Sequence, residues 1–219
     1  MKIIYFDTET TGLTPQDNHI IEIALLTVEN RKITETYDKL ININKKLPEE
    51  IIELTGITDK QLQEEGVSEE SVAEDLYTRL TPGTLMIAHN CQFDLNFIYE
   101  LLIRHYPVNE IEDKINNIYW LDTLTVFKDR KKYPHKLQDM VEYYNIPNTR
   151  YHRAIDDTIM LSKCVRELHK ERDDVTEYMN VFGFNPRYGV QGKLFECIRY
   201  VPQPYNNGMV GKEYILPLL

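Results

Sequence analysis

Ile3-Ile4-Tyr5-Phe6 is a run of four apolar residues that breaks off at once into Asp7-Thr8-Glu9. The run reads as a strand buried on both faces. Side chains two apart on a strand share a face, so Asp7 and Glu9 are expected side by side at its exit. Two carboxylates at that spacing repel, and both stay ionised only when a cation lies between them. Thr10, Thr11 and Gly12 then turn the chain, offering backbone N–H groups and little side-chain bulk beside the acids. A lone D-x-E also describes a strand end with two solvated acids, so its meaning depends on which residues join it.

A chain of 219 residues is long enough for one domain with a proper core plus an appendage. No apolar run approaches membrane-spanning length. Only Lys2 and a short apolar run precede Asp7, too little for a secretory signal. Cys91, Cys164 and Cys197 are few, odd in number and widely spaced, which argues against a disulfide framework or a zinc knuckle and fits a reducing, cytoplasmic setting. The net charge of −10 argues against a protein that coats long stretches of nucleic acid, because such binding draws on many Lys and Arg contacts to phosphate. An enzyme that grips a few nucleotides through metal ions stays compatible with it. The charge is uneven: residues 181–219 carry Arg187, Lys193, Arg199 and Lys212 against Glu196 and Glu213, so that stretch is +2 and the first 180 residues are −12.

Along the chain, His19 to Val28 is rich enough in β-branched residues for a second strand, and Glu29-Asn30-Arg31 suggests a hairpin into a third over Ile33 to Ile43. Pro48 opens a short helix from Glu49 to Leu54 that Gly56 ends. Ser68 to Leu80 is amphipathic and stops at Pro82-Gly83. Leu85 to Asn90 reads as a buried strand, followed by a helix from Phe93 to about His105 and a strand near Ile118 to Leu121. Helical spacing returns at Lys136 to Tyr144, and a last long helix is expected from Tyr151, after a short entry, to about Lys170. This order predicts an α/β layer fold with a mixed sheet. Composition changes near residue 175. The last 39 residues hold five of the nine glycines, which predicts a division into 1–174 and a loop-rich appendage over 175–219.

Three separated pieces carry the chemistry. Asp7 and Glu9 end the first strand, Asp94 lies just beyond another, and His152 and Asp157 mark the start of the last helix. In open α/β sheets, strand exits and helix starts at one edge build the site. Singly, Asp94 and Asp157 are also what a helix dipole favours in a first turn, and His152 is also what a surface or core histidine looks like.

Together, FDTETTGL at 6–13, AHNCQFDLNFI at 88–98 and HRAIDD at 152–157 resemble the DEDDh exonuclease family, which includes the proofreading subunit of bacterial replicative DNA polymerases. ELTGITD at 53–59, LDTL at 121–124 and KLQDM at 136–140 extend the resemblance over roughly residues 1–170. It implies an RNase H-like sheet flanked by helices and a two-metal nuclease. Asp7 would bridge two ions, Glu9 and Asp157 would complete the tighter site, Asp94 would hold the second ion largely through water, and His152 would be the general base. Asp156 reads as a helix N-terminal acid. Oxygen ligands suit Mg²⁺ or Mn²⁺, and two such ions about 4 Å apart activate water and clamp an in-line phosphoryl displacement.

The resemblance also implies that Thr10 backbone meets the 3′-hydroxyl, Leu13 packs on the terminal base, and Phe93 and Ile57 line the same pocket. Each has an ordinary core or turn role as an alternative. Lys128-Asp129-Arg130-Lys131-Lys132, with Lys136, reads either as a phosphate guide or as a solvated charge run. In the tail, Arg187, Tyr188, Lys193, Arg199, Tyr200 and Tyr205 interleave basic and aromatic groups, as a path for a single strand or as a flap on the domain. Gln191-Gly192-Lys193-Leu194-Phe195 resembles the short peptide by which replication proteins dock a sliding clamp, provided that Leu194 and Phe195 are exposed.

The expectation is therefore a Mg²⁺- or Mn²⁺-dependent 3′→5′ exonuclease that releases nucleoside 5′-monophosphates from single-stranded or frayed DNA. A DNA 3′ end is its expected substrate, and a DNA polymerase or sliding clamp its expected partner, with no membrane. An exoribonuclease of the same superfamily would keep every catalytic residue, since DNA and RNA differ there only in contacts to the 2′-hydroxyl. A non-catalytic nucleic-acid or polymerase-binding module would not need both ligands and base.

Overall fold

The computed structural model describes residues 1–147, 153–203 and 215. Its centre is a five-stranded sheet in the order β3-β2-β1-β4-β5. The strands are β1 (Lys2–Thr10), β2 (Ile20–Glu29), β3 (Lys32–Leu40), β4 (Thr84–Ala88) and β5 (Tyr119–Asp122). The first three run antiparallel, and β4 and β5 join β1 in parallel. Connection length sets this. Asn30 and Arg31, both with positive φ, make a two-residue hairpin between β2 and β3, whereas a parallel return needs a crossover. The crossovers hold helices α1 (Glu49–Thr55), α2 (Asp59–Glu65) and α3 (Glu69–Arg79) before β4, then α4 (Cys91–Ile103) and α5 (Val108–Asn116) before β5. Helices α6 (Thr123–Arg130), α7 (Leu137–Tyr143) and α8 (Ala154–Glu171) follow. No helix among the described residues is long and apolar enough to cross a membrane.

The alternation on β1 divides the interior. Ile4 and Phe6 point into one core with Leu95, Ile98 and Leu102 of α4. Tyr5, between them, points the other way, into a core with Leu161, Cys164 and Leu168 of α8. The sheet is thus covered on both faces, and β2 is buried along nearly its whole length.

Three helices go beyond the expected set. The first, α2, starts at Thr58, which forms a capping box with Gln61. The second, α5, has only Ile111 and Ile115 buried, four residues apart. The third, α6, is capped by Asp122, whose side chain accepts from Leu124 and Thr125 N–H.

The described part of the tail shares the two main cores. Phe182, Phe195 and Ile198 lie in the α4-side core, and Val175, Tyr178, Val181, Val201 and Ile215 in the other. Strands β6 (Val181–Phe184) and β7 (Arg199–Pro202) pair in parallel. Asn180 ties them to the sheet by donating its N–H to the Trp120 carbonyl at 2.7 Å and accepting the Trp120 N–H on Oδ1 at 2.8 Å. A boundary at residue 174 therefore separates chain segments and not cores.

Candidate active site

Asp7 and Glu9 leave β1 on the face that α8 covers. The β1–β2 register places Asp7 opposite Ala24 and Glu9 opposite Glu22, and it shifts between Glu9 and Thr10. Such an irregularity re-aims side chains at a strand end. The turn beyond is closed on itself: Thr11 N–H donates to the His19 carbonyl at 2.9 Å, and its Oγ1 donates to Asn18 Oδ1 at 3.1 Å. A Cβ on Gly12 would come within 2.5 Å of that same Asn18 oxygen, so a larger residue there would displace the Asn18 side chain.

From the other side, α8 brings Asp157 in its first turn. Carboxylate oxygens of Asp7, Glu9 and Asp157 lie within 4.8 Å of one another. Asp156, also in that first turn, is outside the group. Burial, and then the charges of Asp94, Asp157, Glu9 and Glu22, push the Asp7 carboxyl far above the usual aspartate range. Burial, with Glu22 next, raises Glu9 to about 7. Among the described residues, neither Asp7 nor Glu9 has a hydrogen-bond donor or a cation on its carboxylate.

Asp94 approaches from the opposite face. It is buried in the first turn of α4, and its Oδ1 accepts the Thr8 N–H at 3.1 Å and the Thr8 hydroxyl at 2.6 Å. Burial lifts its pKa to about 7 against the lowering pull of the Thr8 bonds. It therefore stands beside the three gathered acids without belonging to their group, because Thr8 and Asp7 face opposite sides of β1. His152, expected as the base, lies outside the described residues. Of the pocket residues, Thr10 is buried with its hydroxyl on the Gly12 carbonyl, Leu13 is 83% exposed, and Phe93 is partly buried against Phe97. Ile57 is corrected: it is 2% exposed and packs with Ile21, Leu47, Ile51 and Leu62 in a small third core, leaving almost no surface for a nucleotide.

Two buried acids that hold the site together escaped the sequence reading. Glu22 is fully buried, yet it accepts Arg153 Nε and Nη2 on one oxygen at 2.8 and 2.6 Å and the Ala154 N–H on the other at 3.1 Å. It caps α8 from strand β2, and so fixes where Asp157 arrives. The signal was an acid embedded in the apolar run Ile20-Ile21-Glu22-Ile23. Asp122 does the same for α4: its Oδ1 accepts Asn90 and Cys91 N–H at 2.9 and 3.1 Å. Glu22→Gln is expected to lower stability by about 1–2 kcal/mol, less than for a fully buried pair because Arg153 keeps 42% of its side chain in water. Urea melts in EDTA measure it; an unchanged midpoint would deny the capping role.

The basic segment after β5 is neither a phosphate guide nor a solvated run over most of its length. Arg130 is buried, bonded to the Leu168 carbonyl at 2.7 Å and to Asp174, while Lys131 pairs with Glu171. Lys128 and Lys136 alone of this set line a groove of about 800 Å³ beside His89 and His135. The clamp peptide is also corrected. Phe195 is 4% exposed, edge-on to Tyr99 at 5.6 Å, while Leu194 is 59% exposed, so no Leu-Phe pair is presented.

A mixed sheet of this order, flanked by helices, is the RNase H-like fold, and the acids at the exit of its first strand and at the start of its last helix make a candidate metal site. Comparison with known proteins names the family: the RNase T exonuclease profile matches residues 4–165. The chain belongs to that exonuclease family. It is 30% identical over 201 residues to the 3′-5′ exonuclease DinG of Staphylococcus haemolyticus, covering 88% of this chain and 21% of that protein. To DinG of Bacillus subtilis it is 35% identical over 162 residues, 71% of this chain and 16% of that protein. To the PolC-type DNA polymerase III of Caldanaerobacter subterraneus it is 29% identical over 160 residues, 71% of this chain and 11% of that protein. The chain thus spans 11% to 21% of the length of these relatives. E. coli exonuclease I in complex with a dA16 oligonucleotide shares the fold, with a TM-score of 0.72 at 16% identity over 81% of this chain and 42% of that one.

Proposed function

We propose that this chain is a divalent-metal-dependent 3′→5′ exonuclease that removes nucleoside 5′-monophosphates from single-stranded or frayed DNA. The observation that carries the reading is the gathering of Asp7, Glu9 and Asp157 within 4.8 Å of one another. Like charges this close, in a partly buried setting that supplies Asp7 and Glu9 with no donor among the described residues, fit a hard divalent cation. An all-oxygen ligand set selects Mg²⁺ or Mn²⁺ over zinc. Asp7, Glu9 and Asp157 would hold the ions, two in number, with Asp94 at the margin. When bound, such ions supply Lewis acidity to the scissile phosphate and acidify a water.

The chain's own groups do the rest. Thr8 keeps Asp94 in place, and the Glu22 cap keeps Asp157 in place. His152, neutral, would accept the proton from the attacking water. Exposed Leu13 and partly buried Phe93 offer apolar contact to the terminal base, which supports cleavage with little sequence preference. The likeness to PolC-type polymerases and to DinG supports work on DNA during replication or repair.

End-labelled DNA and matched RNA strands, digested with Mg²⁺ and with EDTA, test this. Ladders shortening from the 3′ end of DNA, and absent in EDTA, are expected. Cleavage that persists in EDTA removes the metal site from the mechanism, and preference for the RNA strand reassigns the substrate.

A further inference from the structure

Residues 185–194 lie beyond the stretch that the family profile matches, which ends at 165. They are nevertheless built onto the helix that carries Asp94 and Phe93. Gln92 of α4 donates from Nε2 to the carbonyls of Gln191 and Lys193 at 2.9 and 2.8 Å. Asn96, one turn on, accepts the Lys193 N–H on Oδ1 at 2.7 Å. Tyr200 donates its hydroxyl to Gln92 Oε1 at 3.0 Å. Gly192 makes the close approach possible: its φ is +78° and a Cβ there would meet the Asn96 side-chain oxygen at 2.5 Å.

The loop is ordered from within as well. The Asn185 carbonyl accepts Tyr188 and Gly189 N–H, both at 3.0 Å, and Gln191 Nε2 donates to the Tyr188 carbonyl at 2.7 Å. Several of the tail's basic and aromatic groups are engaged. Lys193 pairs with Glu112 at 2.7 Å, and Tyr200 reaches Gln92. Arg187 and Tyr188 differ. Tyr188 is 65% exposed, the Arg187 guanidinium carbon lies over its ring 5.5 Å from the centroid, and among the described residues no acid pairs with Arg187.

We propose that Arg187 and Tyr188 form a second contact site for the substrate strand, with the tyrosine ring stacked on a base and the guanidinium on a phosphate. This rests on the exonuclease reading above. Gln92 and Asn96 lie two residues either side of Asp94, about 200° around α4 from it, so the loop is seated across the helix from Asp94, beside the N-terminal turn where Phe93 stands. A strand whose terminal base meets Phe93 reaches the loop only when it is long enough to pass the N-terminal turn of α4, so a dinucleotide does not and a longer strand does. A ring face accepts every base, so the site takes single-stranded polynucleotide of any sequence. Its prior ordering lowers the entropy cost of binding.

The test compares wild type with the Arg187→Ala/Tyr188→Ala double variant on a thymidine dodecanucleotide and a thymidine dinucleotide. The ratio of kcat/KM for the long substrate to that for the short one is expected to fall about fivefold or more. Tyr188→Phe, which keeps the ring, should retain the wild-type ratio. Gly192→Ala, which lifts the loop from α4 without touching either side chain, should lose it. Fluorescence anisotropy of the labelled dodecanucleotide in Ca²⁺ reads the same contact without turnover, and the double variant should bind about fivefold more weakly. An unchanged ratio together with unchanged affinity overturns the proposal. Wild type that binds the strand but does not cleave it, with the double variant weakened, refutes the exonuclease reading and leaves this site standing. Wild type that neither binds nor cleaves refutes both.

Discussion

Asp7→Asn is expected to cut turnover by more than about a thousandfold, the scale of losing an electrostatic stabiliser of the transition state, while raising the melting temperature of the metal-free protein. Both effects come from the same crowding. The carboxyl of Asp7 is pushed far up by burial and by the charges of Asp94, Asp157, Glu9 and Glu22, so ionising it in the empty cluster opposes folding. Asparagine keeps the shape and removes that charge. With it goes the central ligand for a cation, and the hydrolysis that depends on it. Exonuclease assays and thermal melts in EDTA on the same preparation separate this from simple unfolding. A variant that is inactive and also less stable would mean that Asp7 serves the fold and not a metal.

In EDTA, the stability of the wild-type protein is expected to fall as pH climbs from about 4 to about 7. The sign follows from the direction of the shifts. Glu9, ordinarily near 4.5, and Asp94, ordinarily near 3.8, are both raised to about 7 in the fold. In that window the folded chain holds protons that the unfolded chain has released, so each step up in pH favours unfolding. The stabilisation is fully present below the ordinary values and gone above about 7.

Mg²⁺ or Mn²⁺ should reverse the loss above that pH, because cations bind the ionised cluster only when the acids are gathered. At a hundredfold excess over Kd the gain is about 2.7 kcal/mol, a rise in Tm of about 5–10 °C for a chain of this size. Melting curves across pH, with metal and with EDTA, display both limbs. A flat profile in EDTA, or no rise with millimolar metal at pH 8, would separate the acids from any cation.

Much of the fold was legible because its signals are local. The hairpin at Asn30-Arg31, the stop at Gly56 and the buried β4 follow from turn chemistry and apolar runs that need no partner to be read. The starts of α2 and α6 carried local signals that the sequence reading did not use, Thr58 with Gln61 and Asp122. The tail was harder, since its glycines and prolines read as loop while Phe182, Phe195 and Ile198 fill a core shared with β1 and α4. Composition reports how freely a segment bends and not what it packs against.

The sequence by itself determined that Asp7 and Glu9 leave one strand on one face, that Asp157 opens a helix, and that the surrounding motifs are those of an exonuclease. The first two are matters of period and spacing within an element; the third is a resemblance of those motifs to a known family. Only the tertiary structure decided that Glu22 caps a helix starting 132 residues later, that Asp94 binds Thr8 from the far side of β1, and that Ile57 and Phe195 are interior. Alternation fixes which side chains share a face. Which face another element then covers depends on how sheet and helices pack, and no local pattern records it.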